Sequence, residues 1–177
     1  PWDCEGRTLR DTSGPYCLAG VSAFWCAQAT QADEGRLDRF AEWATGAGLS
    51  YVRWFGSHDW AGGTDVQMPN YFSLMERTIE GLSARGLRSA ITLFTRRHLI
   101  SEPYFFSREW ADLVSSHREE VVWVEIANES RHPHNDWSDE EVRSCADVIR
   151  ERSDTPLALS AAAASNWDEM QEQLRHL

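Results

Sequence analysis

Apolar positions along the chain switch repeatedly between two spacings. Leu37, Phe40, Ala41 and Ala44 recur at helical spacing, Gly46 and Gly48 stop that run, and Leu49-Ser-Tyr-Val-Arg-Trp-Phe55 follows as a strand. The next unit repeats the plan, with Met75, Ile79 and Leu82 on one helix face, Gly86 as terminator and the strand 87–94. In the third unit Trp110, Leu113, Val114 and His117 lead into the strand Val121-Val-Trp-Val-Glu-Ile-Ala127. The fourth has Ser138 and Glu141 as a capping box before Val142, Cys145, Ala146 and Ile149, then a strand over 155–159. A last helix is predicted from about Ser165, carrying Trp167, Met170 and Leu174.

An earlier short apolar stretch, 19–24, reads as the first strand, and strand starts at Val21, Leu49, Leu87, Val121 and Leu157 are 28, 38, 34 and 36 residues apart. That interval is the length of a βα unit, and strands alternating with amphipathic helices imply a parallel sheet. Strands 87–94 and 121–127 are apolar on both parities, as a sheet covered on both faces requires. Ahead of them, Arg7 to Arg10, the turn residues Asp11-Thr-Ser-Gly14 and Pro15 to Leu18 read as a β-hairpin.

Two architectures fit this series. A doubly wound sheet normally carries a Gly-rich turn after its first strand, whereas the loop after Phe24 is Trp-Cys-Ala-Gln-Ala-Thr-Gln. A (β/α)8 barrel gathers its functional side chains at the C-terminal ends of the strands, which is where Arg53, His58, His98, Asn128 and Glu129 fall. The expected fold is therefore α/β of the (β/α)8 TIM-barrel type with about five βα units present. It forms a single partial barrel domain over 1–177, with a hairpin cap at 1–18 and βα units one to five over 19–177.

Composition narrows the partners. Acidic residues outnumber basic ones 28 to 17, for a net charge of −11, which argues against nucleic acid as a ligand. No apolar run approaches the roughly 20 residues needed to cross a bilayer, so no membrane span is expected. Nine Trp and four Tyr serve either as core packing or as flat platforms for sugar rings. Trp25, Trp54, Trp60 and Trp137, each near a strand end, are the candidate platforms.

The four Cys, at 4, 17, 26 and 145, show no CxxC pairing. Cys145 falls on an apolar helix face, and Cys4 and Cys17 flank a turn, where a disulfide is one open reading. His132 and His134 have a possible metal-ligand spacing without a fixed third ligand, so neither metal nor cofactor is expected. The chain opens on Pro1, which suggests a longer parent polypeptide.

The segment 121–130 carries the chemistry. A run built for burial ends on Asn128-Glu129, and a carboxyl just past a strand end sits at a cleft mouth, where general acid catalysis is feasible. Val-Glu-Ile-Ala-Asn-Glu resembles the fourth-strand signature of clan A glycoside hydrolases, most closely family five cellulases. That resemblance implies Glu129 as acid/base and Asn128 as a ligand of the sugar 2-hydroxyl. Tyr51-Val-Arg-Trp-Phe resembles the family's second-strand segment, implying Arg53 as an active-site residue, and the hairpin resembles the cap closing the barrel bottom.

Arg53 has a second reading, as an internal partner of Glu125, and the two roles are compatible. His98, Trp60 and Trp137 complete the expected substrate-binding set, and Asp59, Glu102 and Asp136 are expected on the rim. Ser130 stands where the family usually has Pro. The family's nucleophile is a Glu on strand seven, beyond the five strands read here.

The expected function is thus a retaining β-glycoside hydrolase acting on a β-linked poly- or oligosaccharide, its nucleophile lying outside this chain. The different-class alternative is a non-catalytic carbohydrate-binding or structural module on a truncated barrel. Either way, the open sheet edges call for the missing barrel half or another chain to cover them. An extracellular address is slightly favoured.

Overall fold

The computed structural model describes residues 3–5, 8–12, 14–16, 18–59, 63–158 and 160. Strands β1 (Asp3–Glu5), β2 (Thr8–Asp11) and β3 (Gly14–Pro15) form a small antiparallel sheet. The predicted hairpin corresponds to β2 and β3, to which β1 adds a third strand. Gly14 turns the chain at φ +123°, a conformation that L side chains rarely adopt. Just after β3, the Tyr16 hydroxyl donates to Ser50 O at 2.8 Å, fastening this sheet to the N-terminal end of the main one. Cys17 and the Cys4 side chain lie outside the described residues, and with them the Cys4–Cys17 bridge; so does the helix predicted from Ser165.

The main sheet contains β4 (Gly20–Ser22), β5 (Tyr51–Phe55), β6 (Arg88–Phe94), β7 (Val121–Ala127) and β8 (Leu157–Ala158), all parallel and paired in chain order. A doubly wound sheet reverses its strand order at a switch point. This one never reverses, so it is a singly wound partial barrel. Helices α2 (Glu34–Gly46), α3 (Tyr71–Ser83), α4 (Pro103–Ser116) and α5 (Asp139–Arg150) occupy the four connections.

One element corrects the sequence reading. The stretch after Phe24, read as a loop, forms helix α1 (Cys26–Ala32), which packs on α2, α3 and β5. The first and fifth strands are also shorter than expected.

Helix ends follow local chemistry. Ser138 accepts from the Glu141 N–H while the Glu141 carboxylate accepts from the Ser138 N–H, so the predicted capping box starts α5. Such a cap contributes about 1 kcal/mol. Pro103 opens α4, where a missing N–H costs nothing.

Side-chain alternation gives the sheet two unlike faces. Val52 and Trp54 of β5, Ile91 and Leu93 of β6, and Val124 and Ile126 of β7 are all buried on one parity. Trp54 meets Trp110 of α4, with ring centroids 6.4 Å apart, which identifies this as the helix-covered face. The opposite parity carries Arg53, Thr92 and Glu125 and is the barrel interior. Between Ser89/Ala90 and β7 the register shifts: Ser89 pairs Val121, but Ala90 pairs Trp123, so β7 carries one extra residue there.

Gly56, just past β5, is needed for close packing. A Cβ there would lie 2.7 Å from the Trp110 ring, 2.9 Å from Leu93 O and 3.1 Å from the Tyr71 hydroxyl. Trp110 and Leu93 are fully buried and cannot withdraw. Gly56→Ala should therefore cost about 1–3 kcal/mol by overpacking, measured by denaturant unfolding; a midpoint equal to the parent's would contradict this packing.

Candidate active site

The interior parity converges at the C-terminal end of the sheet. Register places Phe55, Thr92, Glu125 and Ala158 at one level, with Arg53 one inward-facing position lower. The long Arg53 side chain rises past Phe55 to reach Glu125: Nη2 donates to Glu125 Oε2 at 2.6 Å and Nε donates to the same oxygen at 3.2 Å. The Thr92 hydroxyl donates to Oε2 as well. Glu125 is only 2% exposed, so an ionised carboxylate there depends on this concentrated donor set.

Arg53 has a further partner. Its Nη2 also donates to Asn128 Oδ1 at 3.0 Å. The guanidinium carbon lies 5.2 Å from the Phe55 ring centroid and 5.5 Å from that of Phe24, and these two rings stack at 4.1 Å. The guanidinium thus lies alongside the stacked pair, which limits the space it can move in. The internal pairing of Arg53 with Glu125 read from the sequence is present, and the same guanidinium also meets Asn128.

Beyond β7 the chain turns sharply. Glu129 has φ +42°, uncommon for a residue with a Cβ, and such a conformation persists only where its surroundings over-determine it. Here they do. The Glu129 N–H donates to Ser160 Oγ at 2.8 Å, and its carbonyl accepts from His132 N at 2.7 Å and Asn135 Nδ2 at 3.2 Å. Asn135 Nδ2 also donates to Asn128 O at 2.7 Å, and Asn128 N donates to Phe94 O at 2.9 Å. Among the described residues no side chain bonds the Glu129 carboxylate, which is half-buried. The backbone is locked while the acid group is left available.

No family model and no curated protein matches the sequence. Solved structures do match. An exo-β-1,4-mannosidase from Opitutaceae bacterium strain TAV5 superposes with a TM-score of 0.65 at 18% identity, over 82% of this chain and 32% of that one. A glycoside hydrolase family 5 mannosidase from Rhizomucor miehei gives 0.67 at 9% identity, over 97% and 56%. Pseudomonas stutzeri endoglucanase Cel5A gives 0.54 at 19%, over 80% and 49%. The fold is a partial barrel like that of these enzymes. This chain spans about a third to just over half the length of these structures, and at such identities the likeness carries the fold and leaves the chemistry to the site.

Within this partial barrel the other expected site residues fare differently. His98 is exposed on the single 3-10 turn Arg97–Leu99 that follows β6, at the same end of the sheet as Asn128, and bonds to none of Arg53, Asn128 or Glu129. Trp60 lies outside the described residues. Trp137 is not an open platform: it is 6% exposed, stacks on Phe94 at 5.6 Å, lies under Arg97 and donates its indole N–H to Thr95 O at 3.0 Å. Trp54 faces the helices and is fully buried. In both cases the ring completes a core instead of meeting solvent. Of the expected platforms, Trp25 is half-buried against Phe40 under Arg36.

The rim is tied by ion pairs. Arg96 meets Asp59 at 2.8 Å, linking the loops after β5 and β6, and Arg97 meets Glu141 at 2.6 Å, linking the second of these loops to α5. The Arg97 hydrogen bond holds the Glu141 carboxyl below its usual range, with help from Ser138. His132 and His134 stand 5.2 Å apart between ring centroids and gain no third ligating side chain among the described residues.

Phe24, Thr92, Asn135 and Ser160 are the site residues that sequence reading missed. Thr92 shares the inward parity of strand 87–94, so alternation alone could have indicated it. Asn135 and Ser160 act through loop hydrogen bonds that have no periodic signature.

Proposed function

We propose that this chain is the part of a retaining β-glycoside hydrolase that carries the acid/base, with strands outside these 177 residues supplying the nucleophile and covering the open sheet edges. The observation carrying this reading is the pairing of Asn128 and Glu129 at the end of β7 with Arg53 hydrogen-bonded to Asn128. An available carboxyl follows directly on an amide that a fixed guanidinium holds.

In this reading the Glu129 carboxyl donates its proton to the glycosidic oxygen as the C1–O bond breaks. A carboxylate about 5–5.5 Å away, from the completing strands, attacks C1 to form a glycosyl ester. Glu129, now a carboxylate, takes a proton from water as the water oxygen displaces the ester at C1, and so regains its proton. Asn128 binds the sugar beside that bond. Phe24, half-buried where the sheet opens, offers a stacking face near the guanidinium. The charge of −11 favours a neutral glycan over an acidic one.

The test is stereochemical. Proton NMR of the first product released from a β-glycoside, by the protein in which the barrel is complete, should show the β anomer. An α anomer would overturn the retaining mechanism. Failure to cleave any of a panel of β-glucosides and β-mannosides would overturn the assignment as a hydrolase.

A further inference from the structure

We infer that Glu125 is a positioning residue: through Arg53 it fixes which end of the Asn128 amide faces the substrate, and so sets a preference for sugars bearing a 2-hydroxyl. The inference rests on reading Asn128 as a substrate ligand.

The amide polarity follows from chemistry. Arg53 carries only donors, so the Asn128 atom 3.0 Å from Nη2 has to be the acceptor Oδ1. The planar amide then turns Nδ2 the other way. That nitrogen has no bond among the described residues and is not among the buried polar atoms left without partners, so it is open to solvent as a donor. A sugar hydroxyl placed there is met as an acceptor. Reversing the amide would set Nδ2 against a guanidinium, and the site would offer an acceptor instead.

Arg53 does not hold that position alone. One Nη2 serves both Asn128 Oδ1 and Glu125 Oε2, and Nε serves Oε2 as well. All of the bonds to Glu125 fall on that oxygen, because Oε1 is buried with no partner. The carboxylate is therefore anchored by Thr92 on one side and draws the guanidinium into register on the other. Phe24 and Phe55 crowd the guanidinium from the side, but apolar rings do not choose which way its N–H groups turn. Glu125 does, and without it Asn128 loses the contact that distinguishes its two ends.

Glu125→Gln keeps the shape and removes the charge, with its Nε2 taking the place of the unpartnered Oε1. Hydrogen bonds to an ionised acceptor are roughly twice as strong as those to a neutral one, so the hold on Arg53 weakens. In the protein with the complete barrel, kcat/KM is measured for a β-glycoside and its 2-deoxy analogue. Glu125→Gln should lower the ratio of the two about 5- to 10-fold, mostly through the 2-hydroxy substrate, and adding it to Asn128→Ala should not lower the ratio further.

Equal losses on both substrates, or an added loss in the double variant, would overturn the inference. Should Glu125→Gln fail to fold, Thr92→Val weakens the same anchor and should shift the ratio in the same direction; an unchanged ratio there is equally damaging. Selective 15N labelling of asparagine gives a readout independent of turnover. The Nδ2 proton shifts of Asn128, distinct for an amide held in one orientation, should move toward averaged free-amide values in Glu125→Gln, and unchanged shifts rule the coupling out. Absence of hydrolysis by the parent would remove the glycosidase reading, while the amide shifts would still decide the role of Glu125.

Discussion

Glu129→Gln, in the protein with the complete barrel, is expected to lower turnover of glycosides with poor leaving groups by about 10²- to 10⁴-fold, the usual contribution of a positioned general acid. An activated aryl glycoside needs little protonation to depart, so bond cleavage should survive far better on that substrate. The selectivity matters more than the size of the loss. Gln keeps the volume of Glu and leaves in place the bond from the Glu129 N–H to Ser160 and those from His132 and Asn135 to its carbonyl, so the φ of +42° is maintained by the same partners. Thermal stability should therefore stay within about 0.5 kcal/mol of the parent, as for other substitutions that break no buried contact. Equal retention of activity on both substrate types would remove Glu129 from the acid/base role.

Arg53→Ala should have the opposite profile, damaging the fold as well as the site. It leaves a carboxylate whose side chain is 3% exposed with the Thr92 hydroxyl as its remaining donor, and removing one partner of a buried pair costs about 3–5 kcal/mol. For a chain of this length each kcal/mol corresponds to about 2–4 °C in Tm, so a drop of about 6–20 °C is expected by calorimetry. Arg53 itself is 21% exposed, which places the expectation toward the lower end. Substituting both partners with apolar residues should recover much of that loss, since a buried pair replaced as a unit is often neutral or stabilising. A Tm for Arg53→Ala within 2 °C of the parent would mean that water already solvates Glu125.

The contrast between these variants reflects what was legible in the chain. Strong periodic signals survived translation into structure: β7 spans the residues read as the fourth strand, and the capping box of Ser138 and Glu141 starts α5 where expected. Helix α1 was missed because its buried positions are Cys26, Ala27, Ala29 and Thr30, too small and too mildly apolar to stand out. Close packing against α2 and α3 uses that smallness, so the feature that hid the helix is what lets it fit.

The site divided along similar lines. Asn128, Glu129 and Arg53 were visible because each ends or lines a strand with a clear register. Trp137 was misplaced because proximity to a strand end says nothing of which way a ring turns, and its indole N–H found Thr95 O behind the loop. The clamp formed by Asn135 was invisible for a different reason. It binds two successive carbonyls through one amide, an arrangement that depends on a backbone path and not on composition.

The extra residue at the foot of β7 decides more than a local irregularity. Were pairing to continue evenly from Ser89 and Val121, Val124 would stand opposite Thr92, and Glu125 would turn toward the helices with its charge among aliphatic side chains. The slip would carry Glu129 with it, about seven residues and roughly 20 Å up the strand. Which face of the sheet Glu125 joins is thus a matter of counting at its floor. Deleting Val122 would remove the extra residue and leave Glu125 opposite Thr92, whereas evening out the pairing with every residue kept would turn Glu125 away while Arg53, Asn128 and Glu129 all remain in the sequence.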